Sequence, residues 1–276
     1  MVLTARARHF SIKTSDRQKT FDFYIKHVGM KILRHEEFEE SCSVGCNGTS
    51  NNGNNGKWSK TQIGFGSEDS NFVFEVIYLF NYNNIEIKHG NDYGGAYVKT
   101  DNGRLKNAND PFGYPIFFER TTLKLPTSYF HKIILYVKSL PKALEFWKNL
   151  LGMTIQSQNG DSAILNYGMN QTSIELVATN SEIQQESGSG RITFSIPENQ
   201  LVPLQESVKQ YDKNLIQNEI TELKTPNKPT VRVVILTDPN GHEICFFGEE
   251  DFDRLAQFDP KAEDLFIEAV KKENYE

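Results

Sequence analysis

Apolar positions along this chain alternate between two periods. RHFSIKT (residues 8–14) reads as a strand. Phe21, Tyr24, Ile25 and Val28 then fall at i, i+3, i+4 and i+7, one face of a helix. Ser15 or Asp16 stands where a helix cap is needed. Gly29 supplies the stop, because glycine enters the left-handed region without a Cβ clash. The plan recurs later. HKIILYV (131–137) is a strand, Ser139 a cap, Leu140, Leu144, Trp147 and Leu151 a stripe, and Gly152 a stop. Each helix runs on into strands: WSKTQIGF and NFVFEVIYLF after the first, AILNY and TSIELVA after the second.

The recurrence is an internal repeat. FDFYIKHVGMKI (21–32) and LEFWKNLLGMTI (144–155) lie about 120 positions apart. DPFGYPIFFE and DPNGHEICFFG, from Asp110 and Asp238, have a similar offset. Pro second and Gly fourth suit a type I turn in both. Two homologous halves follow, joined near residues 121–129. Each half continues with a further strand, GGAYVKT or GRITFSIP. In the second half a helical LVPLQESVKQYDKN, then VRVVILTD and EICFFG, complete a second unit; in the first half that helix is missing. The expectation is an α+β fold of tandem βαβββ units, used four times with the second copy cut down. The units are read as a first domain at 1–122, a second at 129–248 and an acidic helical tail at 249–276. Leu265, Phe266, Ala269 and Val270 give the tail an apolar face, expected to pack on its own domain, a protein partner being the alternative. CNGTSNNGNNGK (46–57) reads as a loop.

Composition narrows the function. A net charge of −6 lacks the basic surface that nucleic-acid binding needs. No apolar run is long enough to span a bilayer. MVLTARARHF has no apolar stretch of the secretory kind. Three cysteines, Cys42, Cys46 and Cys245, are an odd and sparse set that fits a reduced, cytosolic compartment, with mitochondrial association left open. Cys42 and Cys46 have C-x₃-C spacing but no second pair, so no zinc knuckle is expected. RHEEFEE (34–40) is charge-dense and reads as a solvated surface, and His242 as a loop-edge residue.

A strand-one His, a strand Glu in FVFEVIY, the phrase FYxxxxGM, and the block RHEEFEE…CNG…GKWSKT are together specific. With them the chain resembles the glyoxalase I family of the vicinal oxygen chelate superfamily. The resemblance covers most of residues 5–260 and departs at 94–113, where the family has a longer segment. It implies two glyoxalase-like domains, each a cup of curved sheet whose floor takes a divalent metal through four inward positions. Carried over by position, the first cup holds His9 and Glu75, with Tyr93 and Phe117 from the companion unit. The second holds Lys132 and Glu175, with Arg191 and Cys245.

Glyoxalase-type isomerisation needs a metal at the developing enediolate and a carboxylate to move a proton. Phe117 and Cys245 occupy the positions where the resemblance places that carboxylate. Glu119, two residues beyond Phe117, would complete a His9/Glu75/Glu119 metal set if the strand shifted. The alternative is His9 bonded to Glu75 without metal. Lys132 and Arg191 place cations where a metal should sit. His131 is one residue off register and is expected to turn away from the cup. Two functions are therefore expected. One is a glyoxalase-fold protein without lactoylglutathione lyase activity, binding a small molecule, anionic in the sharper version, or serving as a scaffold. The other is a metal-dependent lyase or isomerase using one divalent metal in the first domain.

Overall fold

The computed structural model describes residues 3–46, 56–79, 86–122, 124, 127–225 and 228–273. Unit one holds β1 (Arg6–Thr14), α1 (Arg17–Thr20, widening into π-type turns over Phe21–His27), β2 (Lys31–Phe38), β3 (Trp58–Gly64) and β4 (Val73–Leu79). Unit two is short: β5 (Tyr93–Thr100), the two-residue β6 (Ala108–Asn109) and β7 (Pro115–Arg120), with no helix over 101–114. Unit three has β8 (Tyr129–Val137), α2 (Leu140–Leu144, again widening over Glu145–Leu150), β9 (Thr154–Asn159), β10 (Ser162–Asn166) and β11 (Ser173–Ala178). Unit four has β12 (Arg191–Ile196), α3 (Leu201–Asp212), β13 (Ile216–Leu223), β14 (Val231–Thr237) and β15 (Glu243–Gly248). The tail forms α4 (Glu249–Leu255) and α5 (Ala262–Glu273).

The repeated markers bind each other. Asp16 caps α1, accepting from the Lys19 N–H at 2.9 Å. Both widened helices close with i to i−5 bonds at the same place, Val28 to Phe23 and Leu151 to Phe146, and stop at Gly29 and Gly152 with φ of 84° and 75°. Tyr24 donates its hydroxyl to Asp110 in the DPFG turn at 3.0 Å; Trp147 donates its ring N–H to Asp238 in the DPNG turn at 3.0 Å. Each half is thus clasped through its own two markers.

The strands pair otherwise. β1 is antiparallel to β12 and parallel to β4, giving an eight-stranded sheet in the order β13-β14-β15-β12-β1-β4-β3-β2. The other sheet has seven strands, β6-β7-β5-β8-β11-β10-β9. Units one and four therefore share one cup, and units two and three the other, so neither cup is built within one half of the chain. Strand pairing over such separations leaves no local signature in the sequence, whereas repeats do. Between the layers runs a core with Tyr24, Phe74, Phe146, Trp147, Phe194 and Phe246 buried in it.

The tail divides: α4 packs on β12, β14 and β15 of unit four, whereas α5 packs on β2 of unit one and not on the second domain as expected. Phe266 stacks on Phe21 at 5.8 Å and meets His35 edge-on at 5.5 Å, while Leu265, expected on the buried face, is exposed. Among the described residues no helix is long and apolar enough to cross a membrane.

Candidate functional site: the floor of the eight-stranded cup

A β-bulge between Ala7 and His9 lets adjacent residues of β1 serve the same region. Arg8 donates to Ser195 at 2.7 Å and to Glu249 and Asp253 of α4 at 3.1 and 2.6 Å. His9 stands beside it, 3% exposed. Its Nδ1 is 2.5 Å from Glu68 Oε1, and its Nε2 is 3.8 Å from Glu75 Oε1. Glu75 accepts from Ser11 at 3.1 Å and from the Gln62 amide at 2.8 Å. The second Glu68 oxygen is 3.1 Å from Arg34, which also lies 2.7 Å from Glu36. Burial pushes the Glu68 and Glu75 carboxyls upward; Arg34 and His9 hold the first, and His9 and Lys60 the second, below the usual glutamate range.

Above these groups lies a chamber of about 40 Å³, roofed by Phe252 and Leu255 of α4 and walled by Lys60, Arg191, Thr193 and Cys245. That volume admits a few water-sized atoms. Phe252 lies 6.3 Å from the His9 ring and 4.8 Å from Phe247. Arg191 and Cys46 border both this chamber and an open polar basin of about 930 Å³ that includes Lys13, His242 and Glu243. Arg191 is tied there to Glu243 at 2.8 Å and to the Val44 carbonyl at 3.1 Å.

His9 and Glu75 lie 3.8 Å apart on this floor, with companions other than those the resemblance implies. Arg191 and Cys245 belong with them, because unit four supplies the second wall of this cup. Phe117 instead stacks on Tyr97 at 4.7 Å in the seven-stranded cup, where Lys132 pairs with Glu175 at 2.6 Å and lies over Tyr97 at 4.4 Å. Tyr93 is not on that floor: it stacks on Phe10 at 4.8 Å in the interior, and Tyr97, in register with both Phe117 and Lys132, takes its place. Glu119 cannot join His9, since it lies in the other sheet, 3.5 Å from Lys99 and 3.7 Å from His131. His131 is partly exposed there, at a register shift in the β5–β8 ladder.

Other readings change too. Arg34, His35 and Glu36 are not on a solvated surface but buried within β2, and two of them form the ion network under His9. Cys42 and Cys46 are joined as a disulfide rather than reduced. His242 is buried, and its Nε2 donates to the Tyr136 carbonyl at 2.7 Å. Glu68, the orienting partner of His9, lies before β4 outside any periodic element, and no motif marked it.

The donors on this floor do not suit a resident divalent cation. Among the described residues no group of three or more His, Cys, Asp or Glu is placed to hold one. Burial pushes the Cys245 thiol up to about 12, so it is not a thiolate ligand at neutral pH. Thr193 is a weak neutral donor, and Lys60 and Arg191 repel a cation.

Comparison with known proteins agrees with this architecture. Residues 139–255 match the family model for the glyoxalase domain-containing protein 4-like C-terminal domain. The chain is 38% identical to "Glyoxalase 1" of Caenorhabditis elegans over 289 residues, covering 99% of each. It is 38% identical to glyoxalase domain-containing protein 4 of Mus musculus over 287 residues, covering 97% of this chain and 93% of the relative. Glyoxalase I from Zea mays shares the fold, with a TM-score of 0.73, 18% identity, and coverage of 91% and 96%. The clasped markers, the four units shared between two cups and the full-length identity together make this chain a member of the glyoxalase I family, in the group of glyoxalase domain-containing protein 4.

Proposed function

We propose that this chain is a glyoxalase-fold protein that receives the end of a small, anionic, oxygen-bearing molecule on the floor of the eight-stranded cup, without metal-dependent lactoylglutathione lyase activity. One observation carries the reading: the wall facing His9 and Glu75 presents Thr193, Cys245, Lys60 and Arg191 in place of further metal ligands. A carboxylate or carbonyl oxygen is the group such a wall attracts. The chamber sets the size of the entering end, and the basin beyond Arg191 has room for the rest of the molecule.

The test is elemental analysis of protein purified with Zn²⁺, Mn²⁺ or Fe²⁺ present, together with an assay for lactoylglutathione formation. The expected result is well under one bound metal per chain and no turnover above the uncatalysed rate. One metal per chain, with turnover lost in Glu75→Gln, refutes the reading. On the binding side, Arg191→Ala is expected to weaken a carboxylate-bearing ligand by about tenfold or more, as loss of a charge-assisted bond does.

A further inference from the structure

β2 lies at one end of the eight-stranded sheet and β14 near the other, so the segment that follows β2 crosses the cup to reach unit four. Residues 41–46 run outside both sheets, yet Val44 is 4% exposed and belongs to the apolar cluster of Val231, Val233, Ile235, Cys245 and Phe247. Its carbonyl accepts from Arg191 at 3.1 Å, at the neck where Arg191 and Cys46 border both the chamber and the basin. A tight turn shapes the segment: Gly45, at φ 68°, donates its N–H to the Cys42 carbonyl at 3.0 Å. Fixing six residues costs more than one buried valine and one accepted hydrogen bond offset. The Cys42–Cys46 disulfide closes the ring around that turn, with Cα atoms 5.6 Å apart, and supplies the remaining constraint. Both cysteines are half-buried, and Ser41 and Ser43 on either side of Cys42 are exposed, so a small molecule can reach the bond.

We propose that Cys42–Cys46 is a thiol-exchange site for low-molecular-weight thiols, and that its opening releases residues 41–46 from the neck between basin and chamber. In the step, the thiolate of a small thiol attacks Cys42 Sγ. The S–S bond breaks with its electron pair on Cys46 Sγ, which takes up the proton that the small thiol gave up. Lys60 and Arg191 border the chamber together with Cys46 and favour the negative charge that forms on that sulfur. A second small thiolate then attacks the mixed disulfide on Cys42 and leaves with the first as a small disulfide. Two small thiols are oxidised to one disulfide, and the protein disulfide is reduced to two thiols. Reduced, the segment keeps its valine and its Arg191 bond but loses the crosslink that holds them in place, and the neck opens. The exchange is independent of what the chamber receives.

The experiment uses the full chain, oxidised with 2-hydroxyethyl disulfide and then reduced with 2-mercaptoethanol or dithiothreitol. Alkylation and mass spectrometry count the thiols of each form; one internal bond, between Cys42 and Cys46, is expected in the oxidised protein. Peptide-resolved amide hydrogen exchange follows residues 41–46, which should exchange about tenfold or more faster in the reduced form, as a locally released segment does. The amides of β14 (Val231–Thr237) should stay protected in both forms. The double variant C42S/C46S should exchange at the reduced rate whatever the redox buffer. In Cys46→Ser, 2-hydroxyethyl disulfide should leave one adduct, on Cys42. Three free thiols after oxidation, equal exchange of 41–46 in the two forms, or a Cys46→Ser protein without the adduct overturns the proposal. Loss of β14 protection on reduction of the parent chain overturns it too, because the bond is then a structural staple and not an exchange site.

Discussion

Replacing Tyr24 with Phe tests whether the repeated markers hold each half together. Tyr24 is fully buried, and its hydroxyl donates to Oδ2 of Asp110 at 3.0 Å. The other Asp110 oxygen accepts from the Phe112 and Tyr114 N–H groups at 2.9 Å each. The substitution keeps ring and packing and removes one donor from a carboxylate that is 5% exposed. Hydrogen bonds to charged groups contribute about 1.5–3 kcal/mol. For a chain of this size that is a fall in Tm of roughly 3–10 °C. Urea unfolding of Y24F, D110N and the double variant gives the coupling. Contacting residues should couple by about 1 kcal/mol or more. Burial raises the Asp110 carboxyl, so its contribution is full below the unfolded value and declines as pH rises through the folded one. The cost of D110N should therefore shrink with rising pH across that window. Additive effects, or a Y24F protein as stable as the parent, would show that the clasp is incidental.

The floor and its roof give three further expected outcomes. Phe252→Ala should cost about 3–5 kcal/mol by the cavity it leaves, and should make His9 modifiable by diethyl pyrocarbonate; an unreactive His9 would mean that α4 is not the roof. Glu68 and Glu75 lie below the ordinary 4.5, so the stability they contribute is present above that value and lost as pH falls through their folded values. The stability gap between the parent and Glu68→Gln, about 3–5 kcal/mol at neutral pH for a broken buried pair, should then close on acidification, and a gap constant with pH would refute the assignment. Cys245 is buried with its thiol pushed up to about 12, so a maleimide should label it only after unfolding; prompt labelling of native protein would contradict that burial.

Much of the fold was legible because it is local. The helix stripes, caps, glycine stops and paired turns carry their own signatures, and His9 and Glu75 meet across adjacent strands of one unit. What could not be read was which unit faces which. That choice exchanged Arg191 and Cys245 for Tyr93 and Phe117 beside His9. Register decided Tyr97 over Tyr93, and two bulges shifted the parity around His9 and His131. Glu68 was invisible because a loop residue reaches the floor through tertiary packing alone. The charged run 34–36 looked solvated because Glu68, which joins Glu36 on Arg34, comes from elsewhere in the chain.

The nesting of the four units also orders events on the ribosome. The inner sheet joins neighbours, β5 through β11, and its strands can meet as soon as residue 178 has emerged. The outer sheet cannot close then: Arg8 waits for Ser195, 187 positions later, and for α4 after that. Until β12 has emerged, β1 presents an unfinished edge to solvent or to a chaperone, and a chain cut short before β12 would leave that edge of the β1-β4-β3-β2 half-sheet open.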